Sequence, residues 1–425
     1  MANTNDTSNA AATDALRAEV NAWLQTNWDP DLSVDEWWRI VADAGWSAPH
    51  FTPEQGGRGL HRTSGNTVRA TFAEFGALRP PGGLGMLMAA PTILTHGTPE
   101  QIARHVRPIL EGQLNWCQLF SEPGAGSDLA GLTTRAERDG DTWRINGQKV
   151  WSSMARDSDY GMLLARTDFS VPKHAGISWF AFKLDQPGVT IRPLREMTGD
   201  AVFNEVFLDD AVCADADIIG GAGNGWAVTQ TTLHFERSGI GAGGAHSGFP
   251  VAGPKGGMLG RRAGDAVSDP EPGNGTLIVS FAEVAELAKT QGRASDPHVR
   301  QQLAELYANT KLGQWNAQRA RAEAKTGGGQ AIANLGKLAQ TRIVKSAAKL
   351  SLDILGADGM LAAPDGYDGG RFSASMVFSP ASSIYGGADE IQRNIVAERS
   401  LGLPRDILPG KGQPYDEVLR SIKRD

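Results

Sequence analysis

Thr142-Trp143-Arg144-Ile145-Asn146-Gly147-Gln148-Lys149-Val150-Trp151 is the stretch on which the reading of the fold turns. Thr142–Ile145 and Gln148–Trp151 flank Asn146-Gly147, a dipeptide that suits the two-residue turn of a β-hairpin, so two strands with a tight turn at 146–147 are expected. Further apolar runs follow at Gly161–Ala165, Ile177–Phe182, Val189–Ile191 and Glu205–Leu208, separated by polar turns rather than by helices. Together they predict a compact, mostly antiparallel β domain that opens near Asn115.

On either side the period changes. Asp14–Trp28, Asp35–Ala44 and Pro99–Glu111 place apolar residues three and four apart, the spacing of an amphipathic helix, and Thr98-Pro99 is a helix start. Gly- and Pro-rich joints at Pro53–Gly59 and Arg79–Gly83 read as loops. After Gly220–Trp226 the helical period returns in Ala227–Arg237, Val299–Lys325, Leu335–Leu355 and Asp389–Glu398. Gly241–Gly275, rich in Gly and Pro, reads as a long loop, a length that goes with function, disorder or an interface. The expected division is a helical domain over 1–114, a β domain over 115–225 and a helical bundle over 226–425.

The 425 residues exceed the usual single-domain size, and 40% apolar with 21% charged residues is the composition of a globular chain. A net charge of −7 without a block of like charge marks neither a nucleic-acid footprint nor a polybasic membrane anchor. No apolar run approaches the roughly 20 residues that span a bilayer, and the first residues lack a signal-peptide pattern, so the cytoplasm is the expected compartment. Cys117 and Cys213 are too few for a disulfide framework and are expected as buried thiols. No His and carboxylate spacing calls for a metal, which turns attention to organic cofactors. Gly239–Gly244 matches G-x-G-x-x-G but follows a helical stretch instead of a strand, and no P-loop is present, so nicotinamide and ATP chemistry are not supported.

Ser121-Glu-Pro-Gly-Ala-Gly-Ser-Asp128 sits at the edge of the first strand region. Its glycines let backbone amides approach an anion or a flat ring, and Ser121 and Ser127 add hydroxyls; by itself such a loop reads equally as a plain turn. Followed by Trp143-x-Ile-x-Gly-x-Lys-x-Trp-Ser-Ser153, it resembles the E-P-x-A-G-S-D and W-x-I-x-G-x-K-x-W-[ST]-[ST] signatures of the acyl-CoA dehydrogenase family. The resemblance runs nearly the full length: Pro53–Gly59 looks like the family's P-x-x-x-G-G-x-G loop shortened by one residue, and Ile384–Arg399 like its Y-x-G-[TA]-x-E-I-Q-R region.

What the resemblance implies is a mostly α fold with a middle β domain: an all-α N-terminal domain, an antiparallel β-barrel-like domain and a C-terminal four-helix bundle, with FAD extended at a subunit interface. It implies that Gln118, Phe120, Ser121 and Ser127 line flavin and acyl-CoA, and that Trp151 and Ser153 pack against and hydrogen-bond the flavin ring. Read from residues alone, Trp151 is a strand-core aromatic. The implied activity is α,β-dehydrogenation of an acyl-CoA, with electrons passed to an electron-transfer flavoprotein. Four identical subunits are the usual assembly; a homodimer is the smaller alternative.

Such chemistry needs one carboxylate to take the α proton, its pKa raised by an apolar pocket, and donors for the thioester oxygen as enolate charge develops. Many family members carry that Glu directly after the signature Tyr; here the order Tyr385-Gly386-Gly387-Ala388-Asp389-Glu390 places Gly386 there. Gly386 keeps the backbone N–H aimed at the thioester, so the base must lie elsewhere. The isovaleryl- and long-chain-like subset places it on the first bundle helix, where Glu236 of Leu233-His-Phe-Glu-Arg237 matches. The plain alternative for Glu236 is a surface ion pair. Asp389 and Glu390 more simply favour a helix N-terminus. By resemblance Arg237, Tyr385, Gly387 and Ser127 contact the substrate.

The chain departs from the family on the adenine side. The bundle Arg is not followed by F-G, leaving Arg293 as a substitute; Asp353 and Ala357 replace Gln and Gly of the later Q-x-x-G-G-x-G; Ala388 stands where Thr is usual, and Glu390 where some members have Gln. These changes open a second expectation, a heteromer with a homologous subunit of the kind known for bulky, steroid-like CoA esters. A third is an acyl-CoA- or flavin-binding scaffold without turnover, and flavin-holding motifs also leave an oxidase or hydroxylating relative open.

Overall fold

The computed structural model describes residues 4–240, 252–267, 277–324, 330–405 and 410–422. The N-terminal helices are α1 (Thr4–Asn27), α2 (Val34–Asp43), α3 (Ser64–Phe75), α4 (Ala90–His96) and α5 (Pro99–Leu110). Reciprocal capping boxes, Ser33 with Glu36 and Thr98 with Gln101, start α2 and α5 by satisfying amides that have no helical partner. Trp37 and Trp38 are buried together with Val20, Leu24 and Phe72, and their indole N–H groups donate to the carbonyls of Leu78 and Arg79. The joint at 79–83 is thereby fixed against α2.

Eight strands follow: β1 (Trp116–Leu119), β2 (Arg135–Asp139), β3 (Thr142–Ser153), β4 (Tyr160–Arg166), β5 (Ile177–Lys183), β6 (Val189–Leu194), β7 (Phe203–Ala214) and β8 (Ile218–Ile219). The sheet runs β6-β7-β3-β2-β4-β5-β8, with β1 parallel to β4. The expected hairpin turn at Asn146-Gly147 is not there: both residues lie inside β3, and the turn is one element earlier, at Asp139–Thr142, where Gly140 has φ +62°. What Asn146-Gly147 marks is a bulge against β7, where the register shifts between Ile145 and Gly147. Asn146 exchanges two hydrogen bonds with Asp210, at 2.8 and 2.9 Å. Gly147 has no room for a side chain, because a Cβ would meet Thr134 Oγ1 at 2.5 Å and Thr134 Cα at 2.8 Å.

β4 and β5 are buried on both faces, and alternation sorts their side chains between two cores. Leu163, Ala165, Phe180 and Phe182 join Trp143, Ile145 and Val206 on one side. Met162, Leu164, Trp179 and Ala181 join Ile93, Val106 and Val228 on the other, where helices cover the sheet. This helix layer positions the candidate site.

The C-terminal helices are α6 (Gly225–Ile240), α7 (Ala263–Ala266), α8 (Phe281–Thr290), α9 (Pro297–Ala324), α10 (Gln330–Leu355), α11 (Arg371–Phe378), α12 (Asp389–Ile395) and α13 (Tyr415–Ile422). Val284, Leu287, Val299, Leu306, Ala347, Leu350 and Phe372 form the bundle core of α8 to α11. Of the long loop expected at 241–275, residues 241–251 and 268–275 lie outside the described residues. The described part is folded onto the N-terminal helices: the amides of Val34 and Asp35 donate to the carbonyls of Arg261 and Leu259, and Met258 and Ala263 enter the tryptophan-rich core. Its glycines and prolines serve tight turns within a packed segment.

Candidate active site

Helix α6 lays Val228, Thr229 and Thr232 fully buried against the sheet and α4, with Thr232 and Thr92 hydroxyls 3.1 Å apart. Continuing that face by three and four residues reaches Leu233 and Glu236. Opposite lies β1, where Trp116 and Phe120 belong to the helix-covered core, so alternation turns Gln118, between them, to the same side. Gln118 Nε2 donates to Glu236 Oε2 at 3.3 Å across this junction. The structure thus brings the expected base and one of the expected ligand residues into direct contact. Arg237 is in α6, but its side chain lies outside the described residues, as do 241–244 of the G-x-G-x-x-G match.

The loop after β1 is built on a buried ion pair. Lys149, at an inward position of β3, is 0% exposed; its ammonium donates to Phe120 O at 3.0 Å and Glu122 Oε1 at 2.9 Å. Glu122 also accepts from the Thr133 and Thr134 amides and the Thr133 hydroxyl, at 2.7–2.9 Å. Burial works against the Glu122 carboxylate, but Lys149 and these donors outweigh it and hold its pKa down at about 2. Both stems of the 120–134 loop are therefore tied to one charge pair. The two signature motifs contain both partners; the signal in the sequence is a lysine on the otherwise apolar inward phase, after Trp143, Ile145 and Gly147.

On this base, Ser121 O accepts from the Val150 amide at 3.0 Å, Ser127 is exposed, Ser153 is half-buried, and Phe120 contributes a core side chain. Trp151 is not a strand-core aromatic. It is 58% exposed with φ +61°, a left-handed backbone that costs about 1–2 kcal/mol in a residue with a Cβ, and its ring stands edge-on to Phe203. Strain spent on presenting a large aromatic outward fits a flat partner. Neutral hydroxyls, backbone amides and an exposed indole, with added Cβ atoms at Gly124 and Gly126 meeting nothing within 4 Å, are a donor set suited to a flavin ring.

The C-terminal signature residues sit around a turn into α12. Gly386 and Gly387 have φ +64° and +87°, and a Cβ on Gly387 would meet Gln392 Nε2 at 2.6 Å. Tyr385 is half-buried, its phenol pKa raised by burial. Ala388 occupies the N-cap position of α12 without a side-chain cap, and Glu390 is exposed and paired with Arg393. Asp389 is buried against Lys337 Nζ and Thr341 Oγ1, both at 3.1 Å; burial raises its pKa, but these partners bring the net shift down. An ionised Asp389 that ties α12 to α10 is unsuited to be a base.

The adenine-side candidates lie on bundle helix ends. Arg293, in the α8–α9 turn, spends its guanidinium on Asp296 at 2.7 Å; Asp353, near the end of α10, accepts from Lys349 at 2.5 Å; Ala357 is exposed in the following turn. The two cysteines are buried, and burial pushes the Cys117 thiol up to about 12. Among the described residues no helix is long and apolar enough to cross a membrane.

Family models for the acyl-CoA dehydrogenase N-terminal, middle and C-terminal domains match residues 4–113, 117–211 and 276–401. Over 415 residues the chain is 36% identical to acyl-CoA dehydrogenase IpdE1 of Mycobacterium tuberculosis, covering 92% of this chain and 98% of that protein. The chain belongs to the acyl-CoA dehydrogenase family. This dehydrogenase is an oxidoreductase of acyl-CoA thioesters in a family that is generally FAD-dependent. Its fold is similar to the Tcur3481-Tcur3483 steroid ACAD, with 26% identity and a TM-score of 0.72, covering 93% of this chain and 98% of that one. It is also similar to the ChsE4-ChsE5 complex from Mycobacterium tuberculosis, with 27% identity and a TM-score of 0.69 at the same coverage. The helix, sheet, helix architecture expected from the sequence is that of the family.

Proposed function

We propose that Glu236 takes the α proton of an acyl-CoA bound between α6 and the 385–388 turn, forming the trans-2-enoyl-CoA. The observation that carries this reading is the Glu236–Gln118 contact at 3.3 Å, on the inner face of α6 and at the stem of the 121–128 loop. Gln118 orients the half-buried carboxylate, and Leu233, one turn earlier on α6, packs against the same core as Trp116 and Phe120, so bound substrate would complete its desolvation. Gly386 offers its backbone N–H to the thioester oxygen, stabilising enolate charge as the proton leaves. Tyr385, Gly387, Ser127 and Arg237 complete the substrate contacts. Ser121, Ser127, Trp151 and Ser153 hold the ring of FAD, which when bound supplies the acceptor for the β hydride. Electron-transfer flavoprotein in the cytoplasm is the expected electron acceptor. Replacing Glu236 by Gln tests the assignment: flavin reduction by substrate falls roughly 100-fold or more, and an unchanged rate refutes it.

A specific observation favours a heteromer over four identical subunits. Arg293 and Asp353, the residues at the family's adenine-contacting positions, are engaged in local ion pairs with Asp296 and Lys349. Identical copies would bring to one another's adenine half an Arg293 already shared with Asp296 and, in place of a neutral Gln, the carboxylate of Asp353. A homologous partner with intact contacts completes the site, and the similarity to a steroid ACAD and to a two-component complex supports a bulky, steroid-like acyl group. Co-expression with such a subunit raises flavin content; equal content without it argues for the homomer.

A further inference from the structure

The carbonyls of the turn Leu129–Gly131, directly after the 121–128 loop, and of Leu132 are gathered from behind by two residues that touch neither the expected base nor the expected flavin contacts. Arg166, at the end of β4, is 0% exposed, and its hydrogen bonds go to carbonyls: Ala130 at 2.7 Å, Leu132 at 3.2 Å and Lys173 at 2.7 Å. A buried cation satisfied by carbonyl dipoles needs a further source of negative potential. It has one in Tyr415, whose ring centroid lies 3.9 Å from the guanidinium carbon. The carbonyl between Ala130 and Leu132, that of Gly131, accepts from the Tyr415 hydroxyl at 2.6 Å.

Tyr415 opens α13, 284 residues away in sequence from the carbonyl it holds. It is brought there by a short bridge: Pro414 pairs with Pro172, and the amides of Tyr415 and Asp416 donate to the carbonyls of Val171 and Phe169, each at 3.0 Å. Phe169 stacks on the Tyr415 ring. Lys173, whose carbonyl Arg166 holds, reaches forward to both carboxylate oxygens of Asp128, at 2.7 and 2.8 Å. Asp128 closes the candidate cofactor loop, so the chain of contacts runs from the C-terminal helix through Arg166 and the 169–173 segment to the loop itself.

We propose that α13 is a clasp that holds the 121–132 loop in its cofactor-binding shape, with Tyr415 and Arg166 as positioning residues. The inference rests on the loop being the flavin loop, as argued above. Tyr415→Phe keeps the ring over Arg166 and removes only the hydroxyl that binds Gly131, so the fold survives. Loss of one buried hydrogen bond predicts amide hydrogen exchange roughly fivefold faster in the peptide spanning 128–134, with FAD dissociation constant raised by a similar factor. Tyr415→Ala, which also uncovers Arg166, goes further in both. In Tyr415→Phe the thermal unfolding midpoint falls by no more than about 2 °C and exchange in the bundle helices stays at the wild-type value, whereas a merely structural role would spread the change over the chain. Exchange and FAD affinity within twofold of wild type in Tyr415→Phe overturn the clasp, as does faster exchange spread evenly over the chain. A wild-type protein that takes up no FAD even when co-expressed with a homologous partner subunit overturns the flavin reading instead, while the exchange comparison still decides the clasp.

Discussion

Lys149→Met is the substitution with the largest calculable consequence. It leaves Glu122 buried without its cation and removes the donor to Phe120 O, while the Thr133 and Thr134 donors remain. Breaking a buried ion pair from one side costs about 3–5 kcal/mol, against about 5–15 kcal/mol for a whole domain. A Glu122 carboxyl held at about 2 instead of 4.5 corresponds to about 3 kcal/mol of preference for the ionised form, supplied jointly by Lys149 and the Thr133 and Thr134 donors. Because the folded-state pKa is depressed, that stabilisation is complete above pH 4.5 and is lost as pH falls toward 2. Urea unfolding at neutral pH, followed by circular dichroism, should show Lys149→Met weakened by about 3–5 kcal/mol. Glu122→Gln added to Lys149→Met recovers part of the loss, since no buried charge is left over. A single variant within about 1 kcal/mol of wild type, or a double variant no better than the single, refutes the reasoning.

Trp151→Gly separates stability from function: it relieves a left-handed backbone, so urea stability is unchanged or rises by about 1 kcal/mol, while FAD affinity measured by flavin fluorescence falls. Gly147→Val drives a branched side chain into Thr134 and is expected to lower the free energy of urea unfolding by about 1–3 kcal/mol, with the damage localised by hydrogen exchange to β2 and β3.

Alternation and helical period were enough to find the three-part architecture, because both report burial, and burial is what separates this sheet from its helices. Asn146-Gly147 misled because a dipeptide that tolerates unusual backbone serves a bulge as readily as a turn. The true turn carries Asp139-Gly140, an equally good turn dipeptide. Which of two such dipeptides ends a strand depends on β7 and Thr134, neither local in sequence. In the site, the family motifs point to Ser121 and Trp151 as candidates, and to Glu236 because Gly386 stands where many members carry the base. The supports behind them were not legible. Lys149 reads as an ordinary strand residue until its alternation phase is counted, and Tyr415 reaches Gly131 across 284 residues with no pattern linking the two.

Glu236 is proposed as the base of this dehydrogenase. The most direct test is anaerobic titration of the purified chain, co-purified with its partner subunit if flavin requires it, with short, long, branched and steroid acyl-CoA esters, comparing wild type with Glu236→Gln. The account predicts bleaching of the oxidised flavin by at least one ester in wild type and roughly 100-fold slower bleaching in Glu236→Gln despite retained flavin. Flavin-loaded wild type that no ester bleaches, or bleaching at equal rates in both proteins, would contradict it.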